Sequence, residues 1–204
     1  MRTLVFATLL SASTATAQGL PESERTAETK WWLAVGFIAE AGWADPKHEE
    51  AKNDHKAIFH VLRRRWPVMR KRRPKRYARF VDVVQSYVAA FDGRTEKGQR
   101  VRWLLSLQGR DPDVEPAGWP SHKAKWSIHR KWWREALERA DNCMHGSQCE
   151  DLYPTAWHWG GDMDVPKRCM VKLDNRGTLN TFYGINMECR RRAHALQRQR
   201  SRGL

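Results

Sequence analysis

The sequence is poor in acidic residues relative to basic ones. It has 23 Asp and Glu residues against 37 Lys and Arg residues, which gives a formal net charge of +14 and an isoelectric point of about 10.1. This imbalance favours a polyanionic partner such as nucleic acid, an anionic membrane surface or an acidic cell-wall polymer. Charge alone does not choose among these partners.

Long apolar runs are also missing. The apolar run from Leu4 to Ala12 is too short to span a bilayer, and no other segment approaches spanning length. It follows Arg2 and precedes the Ala15-Thr16-Ala17 site, so residues 1–17 have the three parts of a secretory signal peptide. We therefore expect an exported, periplasmic or extracellular protein that begins near Gln18, which weakens any role on intracellular nucleic acid.

No cysteine occurs in the first 142 residues. The four in the chain are Cys143, Cys149, Cys169 and Cys189. In an exported protein they are expected to form disulfides, and of the three possible pairings we favour Cys143–Cys149 and Cys169–Cys189. A zinc site would instead use Cys143, His145, Cys149 and His158, but this spacing fits no standard zinc pattern, so no metal is predicted.

Tyrosine is scarce, with 4 residues, whereas tryptophan is abundant, with 11. Indole rings offer large flat apolar faces with one hydrogen-bond donor, which suit a sugar ring as well as a nucleobase. Most of the tryptophans are expected to lie in the core. The chain length, 204 residues, is enough for one domain with a sizeable core.

Helical periodicity dominates the sequence and predicts a mainly α protein. The stretch from Lys30 to Arg65 indicates an apolar helix ending at Glu40, a short corner with the Asp45-Pro46 start signal, and a second amphipathic helix. A carboxylate at the end of an apolar helix is partly removed from water, and a glycosidase needs such an environment for its general acid.

The rest of the chain divides into predicted helices, connectors and an irregular region. The basic block 63–76 holds nine Arg or Lys residues and two prolines, so it predicts a turn. Beyond it we predict a helix over 77–91, a shorter helix over 95–108, a loop over 109–120, a long helix capped by Ser121, disulfide-pinned loops with a short hairpin over 142–186, and a basic tail over 187–204.

Several short motifs occur in an order that resembles a known family. They are Glu40-Ala41; Ala57 to Arg63; Val81, Val83, Val84, Phe91, Asp92 and Gly93; Ala136, Ala140, Gly146, Asp151, Ala156, His158 and Trp159; and Gly177 to Tyr183. Taken together they resemble the cell-wall hydrolase family that includes the spore-cortex-lytic enzymes, which belongs with the lysozyme-like transglycosylases. Two departures are a longer corner after Glu40 and the absence of the second acid that commonly follows it closely.

The resemblance implies a single lysozyme-like catalytic domain over residues 18–186 that cleaves peptidoglycan without a cofactor. Glu40 would be the general acid at the bond between N-acetylmuramic acid and N-acetylglucosamine. Substrate-binding candidates are Asp45, His158, Gly160, Asn180 and Tyr183. A hydrolase would need a second carboxylate, for which Asp45, Asp162 and Asp164 are candidates, whereas a lytic transglycosylase needs none.

Two other functions stay open at this point. The first is a secreted basic protein without catalysis that binds an anionic polymer, namely nucleic acid, lipopolysaccharide or the wall. The second is a zinc-dependent amidase or peptidase acting on peptidoglycan. The basic block is interpreted either as a solvated surface or as a surface that holds the enzyme on wall or outer-membrane anions.

Overall fold

The computed structural model describes residues 19–41, 49–90, 94–107, 113–115, 117–118, 125–160, 169–192 and 195. The described part is mostly helical, as predicted. Its helices are α1 (Ala27–Ala41), α2 (Glu49–Arg72), α3 (Phe80–Val88), α4 (Glu96–Leu105) and α5 (Trp126–His145), with a 3₁₀ turn at Glu22–Glu24. Within the described residues, no helix is long and apolar enough to cross a membrane.

Helix α1 is the centre of the molecule, and α2, α3, α4 and α5 all pack against it. It begins where the Thr26 hydroxyl accepts the backbone N–H of Thr29, an N-cap arrangement. Every residue from Leu33 to Ala39 is buried, including Phe37. A helix that is apolar on all sides is stable only when other elements of the protein surround it. The packing around α1 therefore fixes the position of Glu40, which is half-buried in its last turn.

Helix α2 is longer than predicted and continues through the first part of the basic block. The turn predicted over 63–76 is wrong for residues 63–72, because α2 includes Pro67 and ends at Arg72. Proline removes one helical hydrogen bond, but Trp66 packs edge-on against Phe80 of α3, with ring centroids 5.9 Å apart. This packing holds the helix in place at the proline.

The predicted loops over 142–186 contain a three-stranded antiparallel sheet. Its strands are β1 (Ala156–Gly160), β2 (Met170–Lys172) and β3 (Thr181–Ile185), in the order β1-β3-β2. The register of β1 against β3 shifts between Ala156 and His158, so that β1 carries one extra residue, a β-bulge. The irregular composition of this region concealed the strands.

The two disulfides are Cys143–Cys149 and Cys169–Cys189, which confirms the predicted pairing. Disulfides indicate an oxidising, exported location. Cys143 lies in the last turn of α5, and Gly146 caps the helix in the left-handed conformation (φ 75°). Cys169 precedes β2, and Cys189 lies in the helical segment 187–192 that begins the predicted basic tail.

Other predicted helix bounds need correction. Helix α5 starts at Trp126, after an extended Lys125, and Ser121 lies outside the described residues. Helix α3 is shorter than the predicted 77–91 because Arg79 is extended and Asp82 accepts its backbone N–H at 2.8 Å. The predicted helix over 95–108 is confirmed as α4, with Thr95 as its N-cap.

Candidate functional site

The candidate site lies where the C-terminal end of α1 meets α3 and the sheet. Glu40 is half-buried in the last turn of α1 and accepts a hydrogen bond from the hydroxyl of Tyr87. Tyr87 lies near the end of α3, and its ring packs at a steep angle on Trp159 of β1, with centroids 4.9 Å apart. Residues of α1, α3 and β1 are therefore linked by successive contacts from Glu40 through Tyr87 to Trp159.

Tyr87 is held as a neutral hydrogen-bond donor. Burial raises the pKa of its phenol well above the ordinary value, and the negative charge of Glu40 and the hydrogen bond to it add to the shift. A hydrogen bond from Trp159 and the positive charge of Arg65 act in the opposite direction. The hydroxyl therefore stays protonated throughout the neutral pH range and orients the Glu40 carboxylate.

A second acid, Asp54 of α2, lies beneath this arrangement. Its side chain is fully buried and accepts two hydrogen bonds from Asn180, from the backbone N–H at 3.1 Å and from the side-chain amide at 3.0 Å. Burial raises the pKa of Asp54 to about 6, the Asn180 bonds oppose that rise, and the charge of Glu40 adds to it. The two carboxylates therefore interact electrostatically.

The segment that presents Asn180 is organised by its own hydrogen bonds. Asn175 accepts the backbone N–H of Thr178 at 2.9 Å, and the Thr178 hydroxyl donates to the backbone carbonyl of Asn180 at 3.0 Å. The side-chain amide of Asn53 on α2 donates to the carbonyl of Gly177, which has a positive φ of 71°. Asn180 is therefore held against α2, directly before the first residue of β3.

Arg64 attaches the segment before β1 to α2. Its guanidinium donates to the backbone carbonyls of Tyr153, at 2.8 Å, and Ala156, at 3.0 Å, and pairs with Asp151. Next to it, a ring nitrogen of His60 lies 2.9 Å from the carbonyl oxygen of Cys149. A planar guanidinium that serves three acceptors fixes both position and angle, so α2 and the sheet form a defined junction.

The predicted site residues on the sheet have different surroundings. His158 is half-buried and pairs with Tyr183 across the strands, with ring centroids 6.2 Å apart. Tyr183 is fully buried and belongs to the core, and its predicted contact with substrate stays a prediction. The space beside Gly160 is open, since a Cβ there would meet no heavy atom within 4 Å.

The bulge also changes the expected facing of the tryptophans in β1. Simple alternation predicts that Trp157 and Trp159 share one face opposite His158. Instead Trp159 is buried and Trp157 is half-buried, because the extra residue places Ala156 and Trp159 on the core side. This shift brings the Trp159 ring to Tyr87.

Several candidates cannot be placed. Asp45, Asp162 and Asp164, considered as second carboxylates, lie outside the described residues. The alternative zinc set of Cys143, His145, Cys149 and His158 does not form, because the sulfurs of Cys143 and Cys149 are joined in a disulfide. Within the described ranges, no three His, Cys, Asp or Glu side chains are grouped as metal ligands.

Two residues of the site, Tyr87 and Asp54, are not among those predicted from the sequence. Tyr87 lies in the predicted helix over 77–91, where helical periodicity alone does not distinguish it from a core residue. Asp54 shares a helical face with Ala51 and Ile58, which are both buried, and an acid on an apolar face at this spacing was the signal that could have identified it.

Comparisons of this chain with protein-family profiles, with curated protein sequences and with solved structures each found no match.

Proposed function

We propose that this chain is an exported peptidoglycan-cleaving glycosidase, with a lysozyme-like helical domain and Glu40 as its general acid. The observation that carries the proposal is the position of Glu40: a half-buried carboxylate at the end of a buried helix, oriented by the Tyr87 hydroxyl. A general acid must be held rigidly and partly shielded from water while one side remains accessible. Glu40 meets these requirements.

In the proposed reaction, Glu40 donates its proton to the glycosidic oxygen as the bond from C1 of N-acetylmuramic acid to that oxygen breaks. The N-acetylglucosamine unit leaves with the proton, and positive charge develops at C1. The 6-hydroxyl oxygen of the same muramic residue then bonds to C1 and returns its proton to Glu40. Atoms balance without water, and the product has an anhydromuramic end.

The transglycosylase reaction fits the described residues better than hydrolysis with a second carboxylate. Asp54 interacts electrostatically with Glu40, but its side chain is fully buried beneath Asn180. It therefore cannot reach the far side of a glycosidic bond to hold a water or form a covalent intermediate. Asp54 is a positioning residue that fixes Asn180.

Two groups from the sheet region are suited to bind the sugar. The half-buried Asn180 uses its N–H groups on Asp54, which leaves the side-chain oxygen to accept a hydrogen bond from an acetamido N–H. The open space beside Gly160 allows the backbone to approach a sugar ring closely. His158 is half-buried in the same strand.

The test is mass spectrometry of fragments released from purified peptidoglycan by the wild type and by Glu40→Gln. We expect the wild type to release fragments with anhydromuramic ends and Glu40→Gln to lose activity by about 10²-fold to 10⁴-fold. Glu28→Gln is the matched control: it makes the same change in the first turn of α1, where Glu28 pairs with Arg79 at 2.9 Å. It should retain activity.

The other outcomes are equally informative. Reducing muramic ends would make the protein a hydrolase and would require a second carboxylate. Equal release by wild type and Glu40→Gln would exclude Glu40 as the acid. No release by the wild type would contradict the enzymatic proposal and favour a non-catalytic binding protein.

A further inference from the structure

The end of α2 and the turn after it form a surface of positive charge. We call it the basic end, and it consists of Arg70, Lys71, Arg72, Arg73, Lys75 and Arg76. All six are exposed, and none forms an ion pair with any residue in the described part of the chain. Some other cations of the fold are paired, for example Arg64 with Asp151 and Arg79 with Glu28. Six exposed cations within seven positions create a strong local positive potential.

A cleft of about 420 Å³ opens within the basic end, lined by Trp66, Pro67, Arg70, Lys71 and Pro74. The Arg70 guanidinium lies over the Trp66 ring, 5.7 Å from its centroid. Arg70 and Lys71 line this cleft with two cations that can bind a phosphate oxygen.

Apolar side chains lie among these charges. Pro67, Val68 and Pro74 are exposed within the same stretch of chain, and Val68 retains 36% of its surface. Nucleic acid or a wall polymer would use the cations but not the exposed apolar groups. A lipid surface uses both, because its phosphate headgroups lie directly above hydrocarbon.

We infer that the basic end binds the phosphate headgroups of an anionic lipid surface, with one phosphate in the Trp66 cleft. This binding site is separate from the one formed by Glu40, and it does not depend on the proposed glycosidase activity. The disulfides, which indicate an exported protein, make an extracytoplasmic lipid surface the appropriate partner.

The test measures co-sedimentation of the full chain with phosphatidylcholine vesicles, with or without phosphatidylglycerol. We expect binding only to the phosphatidylglycerol vesicles and a steep decline with salt. The double variant Arg70→Gln/Lys71→Gln should bind about 10-fold to 30-fold more weakly, since each cation near an anionic surface contributes about fivefold. Its activity on lipid-free peptidoglycan should be unchanged.

Arg130→Gln/Arg134→Gln is the matched control. It removes the same charge from α5, where both arginines contact Asp113, and should weaken binding by less than about threefold. Equal losses in the two double variants would mean that net charge alone drives binding and would overturn the proposal. So would equal binding to both vesicle types.

Arg70→Gln tests the cleft itself. Arg76→Gln removes the same charge from the basic end but from outside the cleft lining, so we expect Arg70→Gln to weaken vesicle binding more than Arg76→Gln does, with an unchanged fold by circular dichroism in both. Equal losses in the two variants would exclude the cleft as a phosphate site. Double-stranded DNA, added at the same phosphate concentration as the vesicles, should compete weakly; tighter binding to DNA would contradict the choice of a lipid surface.

Discussion

Replacing Asp54 by asparagine should change how stability depends on pH. In the folded protein the pKa of Asp54 is raised from 3.8 to about 6, chiefly by burial. A raised carboxyl pKa means that the folded state binds the proton more tightly than the unfolded state does. The resulting stabilisation is fully present below about pH 4 and is lost as the pH rises through about 6.

The size of the effect on the free energy of unfolding follows from the shift in the pKa of Asp54. About two pKa units correspond to about 3 kcal/mol of free energy of unfolding, at 1.36 kcal/mol per unit. The asparagine introduced by Asp54→Asn does not titrate, and its side-chain oxygen can still accept a hydrogen bond from Asn180. The free energy of unfolding of Asp54→Asn, minus that of the wild type, should therefore increase by about 2–3 kcal/mol between about pH 4 and about pH 7.

The assay is urea unfolding followed by circular dichroism across this pH range. His55 and His60 are also buried, and burial lowers the pKa of both, but their contributions are common to the two proteins and cancel in the difference. If the free energy of unfolding of Asp54→Asn minus that of the wild type stays constant or decreases as the pH rises, the raised pKa of Asp54 is refuted. In a Glu40→Gln background the increase should be smaller, because the Glu40 charge helps to raise the pKa of Asp54.

Three other perturbations have expected outcomes. Tyr87→Phe should reduce glycan cleavage at least about tenfold in the fragment-release assay, since it removes the hydrogen bond to Glu40, the proposed general acid; full activity would contradict the proposed role of Tyr87. Gly19→Ala should destabilise the fold by about 1–3 kcal/mol in thermal unfolding, because the added Cβ would lie 2.3 Å from a backbone oxygen. Gly160→Ala is the control and should be nearly neutral, because the space beside Gly160 is open. Equal effects of the two substitutions would show that the backbone near Gly19 shifts to relieve the contact. Cys169→Ser/Cys189→Ser should cost about 3 kcal/mol by the loop-entropy relation, measured by urea unfolding, and no loss would exclude that disulfide as a stabilising cross-link.

The sequence predicts local structure well here. The apolar periodicity of α1 and of the buried face of α5 is strong enough to identify both helices, and the buried residues of α5 include Trp126, Trp133 and Ala136. The disulfide pairing could also be predicted, because there are only four cysteines and the paired ones are close together in the sequence. Each of these predictions depends on residues close to one another in the chain.

The contacts that form the candidate site, in contrast, join residues that are far apart in the sequence. Tyr87 and Glu40 are 47 residues apart, and Asn180 and Asp54 are 126 apart, so no local spacing connects them. The β-bulge that brings Trp159 to Tyr87 has no signature in its own segment. Helix α2 continues past Pro67 because of packing against Phe80 in another helix, which propensity alone does not reveal.

The placement of the disulfides has a consequence for how the candidate site is assembled. Cys143–Cys149 and Cys169–Cys189 each close a loop within the last third of the chain. Neither links the sheet covalently to α1, α2 or α3. Glu40 and the sheet therefore belong to parts of one chain that are joined by reversible contacts, among them those of Arg64 and Asp54. The disulfides cross-link the last third of the chain, but the position of the sheet relative to Glu40 is set by bonds that can open and re-form while the disulfides stay intact.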